Sequence, residues 1–142
     1  MLKTKLLHPE ILSALGKAGH GSQVLIADGN YPFVTGSHPS ASRVYLNLTP
    51  GIVSATNVLR ALVESIPIEN AAVMMPESGD EPPIFAEFRA LLPQTLKLQP
   101  LSRSAFYDAA RHSNTALVIA TGEERIFANI LLTIGVVSPR AN

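Results

Sequence analysis

The 142-residue sequence has no cysteine and no tryptophan, and only 15% of its residues are charged. The absence of cysteine excludes disulfides and thiolate chemistry, which fits a cytosolic protein. Lysine plus arginine total 11 and aspartate plus glutamate total 11, so the formal net charge is zero. Because nucleic acids bind cationic surfaces, we expect no nucleic-acid partner. The low charge density predicts that other subunits cover part of the surface.

Long apolar runs are also missing. No stretch reaches the roughly 20 residues that a membrane span needs. The nearest, residues 126–137, is short and is interrupted by Asn129, Thr133 and Gly135. The apolar residues before Pro9 are too few for a signal peptide. We therefore expect no membrane association and a cytoplasmic location.

Several motifs for cofactors and nucleophiles are absent. The sequence has no G-x-G-x-x-G for dinucleotides, no G-x-x-x-x-G-K-[ST] for nucleotide phosphates and no G-x-S-x-G elbow. Its four histidines lack the close pairing of a zinc site. We therefore expect neither a cofactor nor a metal.

Hydrophobic periodicity and turn residues predict alternating helices and strands. Helices are predicted over 9–18, 51–65 and 84–92, and after Ser102, with Gly19 as the C-terminal cap of the first. Strands are predicted over 24–27, 43–48, 71–75, 95–98 and 115–120, followed by an apolar segment over 129–137. This alternation favours a layered α/β arrangement, and the length of 142 residues fits a single domain.

Two residues next to glycines are candidates for chemistry. His20 stands between Gly19 and Gly21, where the glycines would leave space around a proton-transferring imidazole; the alternative is a turn residue at a helix end. Asp28 ends the first predicted strand, and ligands of open α/β sheets gather beyond the carboxyl ends of strands. The Asp28 carboxylate could accept hydrogen bonds from two hydroxyls of a ligand, or it could form only an Asx-turn.

Three further positions offer hydrogen-bonding groups. Arg103 begins a predicted helix, and its guanidinium has several donors for ligand oxygens, although a surface arginine is the simpler interpretation. Thr121-Gly122-Glu123 follows a buried strand and so also stands at a strand end, where ligands gather. The alternative interpretation is a turn around Gly122. Asn129 comes six residues after Glu123. Its amide can both donate and accept a hydrogen bond.

Taken together, these segments resemble the fucose mutarotase and ribose pyranase family (FucU/RbsD). The resemblance runs over nearly the whole chain and depends on the order and spacing of several short motifs. They are Gly19-His20-Gly21, Val24-Leu25-Ile26-Ala27-Asp28, Asn30-Tyr31-Pro32, Arg103-Ser104-Ala105-Phe106-Tyr107, Thr121-Gly122-Glu123 and Asn129-Ile130-Leu131-Leu132.

The resemblance implies an α/β domain with a central mixed sheet flanked by helices. It also implies a homo-oligomer, often a decamer, with monosaccharide sites at subunit borders. By position, His20 is similar to the family's acid/base histidine. Asp28 and Arg103 are similar to its sugar-binding residues, and Asn129 to the end of its Tyr-Gly-Asn or Tyr-Ala-Asn motif. The implied activity interconverts ring forms of a free sugar; the Arg103-to-Tyr107 segment favours fucose, while Thr49-Pro50-Gly51 is nearer the ribose branch.

One position departs from the family pattern. The motif reads Phe127-Ala128-Asn129 here, so phenylalanine replaces the tyrosine and a hydroxyl is missing. We expect the Phe127 ring to pack against the apolar face of the sugar. The missing hydroxyl leaves a second hypothesis open, a non-catalytic monosaccharide-binding protein on the same scaffold. A third hypothesis is a purely structural oligomer that binds no sugar.

Overall fold

A computed structural model describes residues 1–141 and contains ten regular elements. In chain order they are α1 (Pro9–Lys17), β1 (Gln23–Ala27), β2 (Ser42–Tyr45), α2 (Ala55–Leu62), β3 (Ile68–Met74), α3 (Ile84–Leu91), β4 (Leu98–Leu101), α4 (Arg103–Arg111), β5 (Thr115–Ala120) and β6 (Ile130–Ile134). No helix within this part of the chain is long and apolar enough to cross a membrane.

All six strands form one sheet in the order β2-β5-β1-β6-β3-β4. The pairs β1–β5, β2–β5 and β3–β4 are parallel. Strand β6 lies between β1 and β3 and is antiparallel to both. The prediction of a mixed sheet is therefore confirmed. As a result, the carboxyl ends of five strands and the amino end of β6 share one edge of the sheet.

Both faces of the sheet are buried. One face packs against α1, α2 and α3 through large apolar side chains such as Ile11, Leu59 and Phe88. The other face is covered by α4 and the loop after β1, with Phe106 and Tyr31 at the centre of that layer. Burial on both faces explains why β1 and β5 are nearly continuous apolar runs rather than alternating sequences.

Some predicted boundaries were wrong. Gly19 does not cap α1; Ala18 does, in an extended conformation. Helix α2 starts at Ala55 rather than at residue 51, because Gly51 has a φ of 83° and the side chain of Ser54 forms the cap with Asn57. Strand β2 ends at Tyr45, three residues earlier than expected.

The fourth strand is also displaced from its predicted position. It covers Leu98–Leu101 instead of residues 95–98. The preceding residues form a turn in which the N–H of Leu96 donates to the carbonyl of Pro93 at 3.0 Å. Pairing with β3 then begins at Leu98, opposite Ala71. This shift places Arg103 two residues beyond the strand end, at the shared edge of the sheet.

Candidate functional site

A cavity of about 200 Å³ lies at this shared edge. Polar groups reach it from the carboxyl end of β1, the amino end of β6 and the start of α4. These groups meet because β1, β6, β3 and β4 are successive neighbours in the sheet and α4 directly follows β4. Its lining residues are Asp28, Asn30, Tyr31, Met74, Arg103, Tyr107, Ile126, Phe127 and Asn129. Four residues predicted to bind sugar, Asp28, Arg103, Phe127 and Asn129, are therefore brought together around one cavity.

Asp28 and Asn129 are held together by two hydrogen bonds. The backbone N–H of Asp28 donates to Oδ1 of Asn129 at 2.7 Å, and Nδ2 of Asn129 donates to Oδ2 of Asp28 at 3.1 Å. The register of β1 and β6, with Ile26 opposite Ile130, brings the two residues into contact. Both are buried, with 3% and 4% of their surface exposed.

The carboxylate of Asp28 also makes a local turn. Its Oδ1 accepts from the backbone N–H of Asn30 at 3.0 Å, which is the Asx-turn that the sequence left open as an alternative. The backbone of Tyr31 and Ala128 also interacts with the carboxylate, and Asp28 still lines the cavity. The turn and a ligand-binding role are therefore compatible.

Burial raises the pKa of Asp28 above its ordinary value. The hydrogen bonds from Asn30 and Asn129 act in the opposite direction without cancelling this effect. A carboxyl group in this environment is a stronger proton acceptor than an exposed aspartate. It is therefore suited to accept hydrogen bonds from hydroxyl groups.

The aromatic rings of Tyr31 and Tyr107 and the guanidinium of Arg103 complete the lining of the cavity. Tyr107 packs against Tyr31 with ring centroids 5.4 Å apart, and the Arg111 guanidinium lies 5.3 Å from the Tyr107 ring. The hydroxyl of Tyr31 donates to the carbonyl of Gly36 at 2.6 Å and so is already occupied. Arg103 is exposed at the first position of α4 and forms no ion pair within residues 1–141. Its guanidinium is available to a ligand.

Phe127 has an unusual backbone conformation. Its φ of 60° lies in the left-handed region, where residues other than glycine are uncommon. The ring is half-buried and lies between this cavity and a larger apolar cavity near Pro82 and Ile84. The ring lines the cavity, and its packing against a sugar stays a prediction.

His20 is not part of this cavity. It lies in the turn before β1, at the opposite edge of the sheet, and the five residues of β1 separate it from Asp28 by roughly 17 Å. Its Nε2 lies 3.0 Å and 3.1 Å from the two carboxylate oxygens of Glu69. The side chain is 59% exposed. The imidazole thus faces outward, with a carboxylate fixing one ring nitrogen.

Sequence reasoning missed several of these residues as individual contributors. Tyr31 and Tyr107 lie within motifs that carry the family resemblance, but only the tertiary structure places their rings beside Asp28. Met74 ends β3, and its contribution depends on the position of β6 between β1 and β3. Glu69 carried no local signal, because a carboxylate early in a strand is ordinarily solvated. Among the described residues, no group of three or more potential ligands could hold a metal ion.

Comparison with known proteins identifies the chain's relatives. A family model described as the RbsD / FucU transport protein family matches residues 1–137. The chain belongs to the RbsD/FucU family. A D-ribose pyranase from Variovorax paradoxus is 32% identical over 141 residues, covering 96% of this chain and 98% of the pyranase. A fucose mutarotase from Mus musculus is 33% identical over 144 residues, covering 92% of this chain and 90% of the mutarotase.

The RbsD/FucU fold is also shared with solved structures. Bacillus subtilis RbsD complexed with D-ribose superposes with a TM-score of 0.81 at 24% identity, covering 97% of this chain and 100% of that one. The resemblance to the family and the α/β fold with its mixed sheet are therefore confirmed. The two curated relatives have different names, D-ribose pyranase and fucose mutarotase, at nearly equal identity. Overall similarity does not distinguish between their sugars.

Proposed function

We propose that this protein is a monosaccharide mutarotase that interconverts ring forms of a free sugar, with an L-fucose-like sugar as the favoured substrate and ribose second. The observation that carries the proposal is the convergence of Asp28, Arg103, Phe127 and Asn129 on one small cavity. The cavity combines an anionic acceptor, a free cationic donor, an amide and aromatic rings. Carbohydrates are bound by such combinations of polar groups and apolar faces.

The chain's own residues suit the binding of adjacent hydroxyl groups. Asp28 would accept from one hydroxyl while its position is held by Asn129. The second Nδ2 hydrogen of Asn129 and the guanidinium of Arg103 would donate to other sugar oxygens. The Phe127 and Tyr107 rings would pack on apolar C–H groups. The sugar would then be held in one orientation relative to the proton-transferring group.

Ring opening requires two proton movements. A base removes the proton from the anomeric hydroxyl while an acid protonates the ring oxygen, and the ring opens to the aldehyde. After a bond rotation the ring recloses, with both protons returned. We propose that His20 performs this transfer, and positioned proton transfer typically contributes roughly 10²–10⁴-fold. Free sugars mutarotate slowly without a catalyst, so a rate increase of this size is sufficient for the proposed activity.

His20 cannot reach the cavity of its own chain, since β1 lies between them. The proposal therefore requires a homo-oligomer in which His20 of one copy faces the cavity of a second copy. Exposed apolar residues offer surface for such contacts: Val34, Tyr45, Leu48, Ile52 and Ile126 are all at least half exposed. The paired Glu69 would hold the imidazole in one orientation across the subunit border.

Proton NMR of anomeric exchange tests this function. Exchange between the anomers of L-fucose, D-ribose, D-galactose and L-rhamnose is measured with and without protein. We expect acceleration for L-fucose most and for D-ribose second. No acceleration of any of these sugars at saturating concentration, despite measurable binding, would replace the mutarotase with the second candidate.

That second candidate is a non-catalytic monosaccharide-binding protein, and Phe127 is the observation that favours it. The ring lines the cavity but has no hydroxyl to bond the sugar or relay a proton. Calorimetry distinguishes a non-catalytic binding protein from a structural oligomer, because a structural oligomer would bind none of the sugars.

A further inference from the structure

Glu123 is a buried carboxylate at the base of the loop that carries Phe127 and Asn129. It is only 4% exposed. Its Oε1 accepts from the backbone N–H of Arg125 at 3.0 Å, and its Oε2 accepts from the N–H of Ala55 at 3.1 Å. Ala55 is the first residue of α2, where a negative charge is favourable. Glu123 therefore connects the loop after β5 to the amino end of a helix.

Arg125 holds the same carboxylate with two parallel bonds. Its Nε donates to Oε1 and its Nη2 donates to Oε2, both at 2.9 Å. Paired bonds of this kind between charged groups are among the stronger hydrogen bonds in proteins. Burial alone would raise the pKa of Glu123, but the bonds from Arg125 and from the N–H of Ala55 together outweigh it and hold that pKa below its ordinary value. Arg125 also bonds Glu87 of α3, so the loop contacts two helices.

The backbone of Glu123 makes a further connection to the sugar cavity. Its carbonyl accepts from the N–H of Gly29 at 2.9 Å, directly after Asp28. Gly122, next to it, is fastened to the 49–53 segment by a bond from its N–H to the carbonyl of Val53 at 2.9 Å. No side chain fits at Gly122, since a Cβ there would lie 2.5 Å from the carbonyl oxygens of Thr49 and Ile52.

The loop between these anchors contains the strained residue. Phe127, with a φ of 60°, is two residues beyond Arg125 and two before Asn129. A residue other than glycine persists in this region only when its surroundings hold it there. On one side those surroundings are the Glu123–Arg125 pair, and on the other they are β6 and the Asn129–Asp28 bonds.

We propose that Glu123 and Arg125 are positioning residues for the sugar site. Neither lines the sugar cavity, but their ion pair fixes the loop that places the Phe127 ring and the Asn129 amide. This inference rests on the proposed function, because it assigns the pair a role in sugar binding and exchange. Loss of the pair would displace the loop, and displacements of about 1 Å can lower activity about 100-fold.

Arg125→Ala and Arg125→Lys test this role, with Arg89→Ala as the matched control. Arg89 also pairs with a glutamate, Glu81, and both side chains are about half exposed. Glu81 lines the apolar cavity on the other side of Phe127, but among the described residues neither side chain bonds the loop. Two quantities are measured: amide hydrogen exchange of residues 126–129, and kcat and KM for the sugar that the wild type accelerates best.

For Arg125→Ala we expect faster amide exchange confined to the loop and kcat/KM lower by about 10- to 100-fold. Arg125→Lys keeps the charge but not the two parallel bonds, so it should fall between the wild type and Arg125→Ala. Arg89→Ala should match the wild type in both measurements. If Arg125→Ala fails to fold, Arg125→Lys decides the question by the same two measurements.

Unchanged amide hydrogen exchange of residues 126–129 in the Arg125 variants would show that the Glu123–Arg125 pair does not hold the loop in place. A looser loop with unchanged kcat/KM would overturn the positioning role, and so would an equal loss of activity in Arg89→Ala. If the wild type accelerates no sugar, the proposed function fails separately. The sugar-binding affinity and loop exchange of the same variants then decide whether the pair positions a binding site.

Discussion

Asn129 and Asp28, 101 positions apart, bond each other through both a backbone and a side-chain group. Asn129 uses its Oδ1 for the backbone N–H of Asp28 and one Nδ2 hydrogen for the carboxylate. Only its second Nδ2 hydrogen and remaining Oδ1 capacity are left for a sugar. The residue that the family motif associates with sugar contact therefore also determines where the carboxylate of Asp28 lies.

Asn129→Ala should weaken both stability and sugar binding. Removing the amide leaves a buried N–H and a buried carboxylate oxygen unpaired, which typically costs about 1–3 kcal/mol. Urea unfolding measures the stability and calorimetry the sugar affinity. Asn114→Ala, at an exposed asparagine, serves as the control and should change neither. A variant as stable as the wild type would mean that water replaces the amide.

The raised pKa of Asp28 predicts a pH dependence of stability. Below its ordinary value of 3.8 the carboxyl is protonated in both states. As the pH rises from there through the higher folded pKa, the unfolded state releases its proton first and the folded state loses relative stability. Asp28→Asn does not titrate, so its free energy of unfolding should improve relative to the wild type as the pH increases.

Urea unfolding of both proteins between pH 4 and pH 7 measures this difference. Glu123, whose pKa is lowered, contributes the opposite slope, but it does so in both proteins and cancels in the comparison. A difference between the two proteins that shrinks or stays flat as the pH rises would mean that the folded protein does not raise the pKa of Asp28.

Phe127→Tyr should increase kcat by at least about tenfold while leaving KM nearly unchanged. The new hydroxyl would lie in the cavity, where it could relay a proton. Phe33→Tyr is a matched control, since Phe33 is also half-buried but packs against Tyr45 outside the cavity. Equal rates in the wild type and Phe127→Tyr would show that the missing hydroxyl does not limit activity.

Glu69→Gln should lower kcat and leave sugar affinity unchanged. Glu69 bonds the imidazole of His20, and a glutamine cannot balance the positive charge that the ring gains when it takes a proton. Anomeric exchange and calorimetry measure the two quantities. Glu64→Gln, at an exposed pair with Lys5, controls for loss of one surface charge. A fall in affinity instead would place Glu69 in sugar binding.

Much of the local structure was predictable from the sequence. Buried strands such as β1 and β5 are recognisable in the sequence as short apolar runs. Ser102 caps α4, as its side chain predicts. The position of Asp28 at a strand end followed from the turn residues after Ala27. These features depend on residues that are neighbours in the chain, so local composition and spacing are sufficient to predict them.

Pairing between distant segments was not predictable in the same way. No local signal places β6 antiparallel between β1 and β3, yet this order brings Asn129 to Asp28 and leaves His20 at the opposite edge. The pairing of His20 with Glu69, 49 positions away, is also a tertiary contact. The family resemblance implies the residue roles, and the fold determines which of these residues one chain brings together.

The most direct test of the whole account is complementation between two inactive variants. His20→Ala and Asp28→Asn are each expected to lose anomeric exchange while remaining folded, since His20 is mostly exposed and Asp28→Asn is nearly isosteric. The two are coexpressed with different tags, and mixed oligomers are isolated by both tags. If His20 of one copy completes the cavity of another, about one quarter of the sites in random mixtures combine intact residues, and exchange returns to about that fraction of the wild-type rate. Mixed oligomers as inactive as either parent would contradict a site shared between copies.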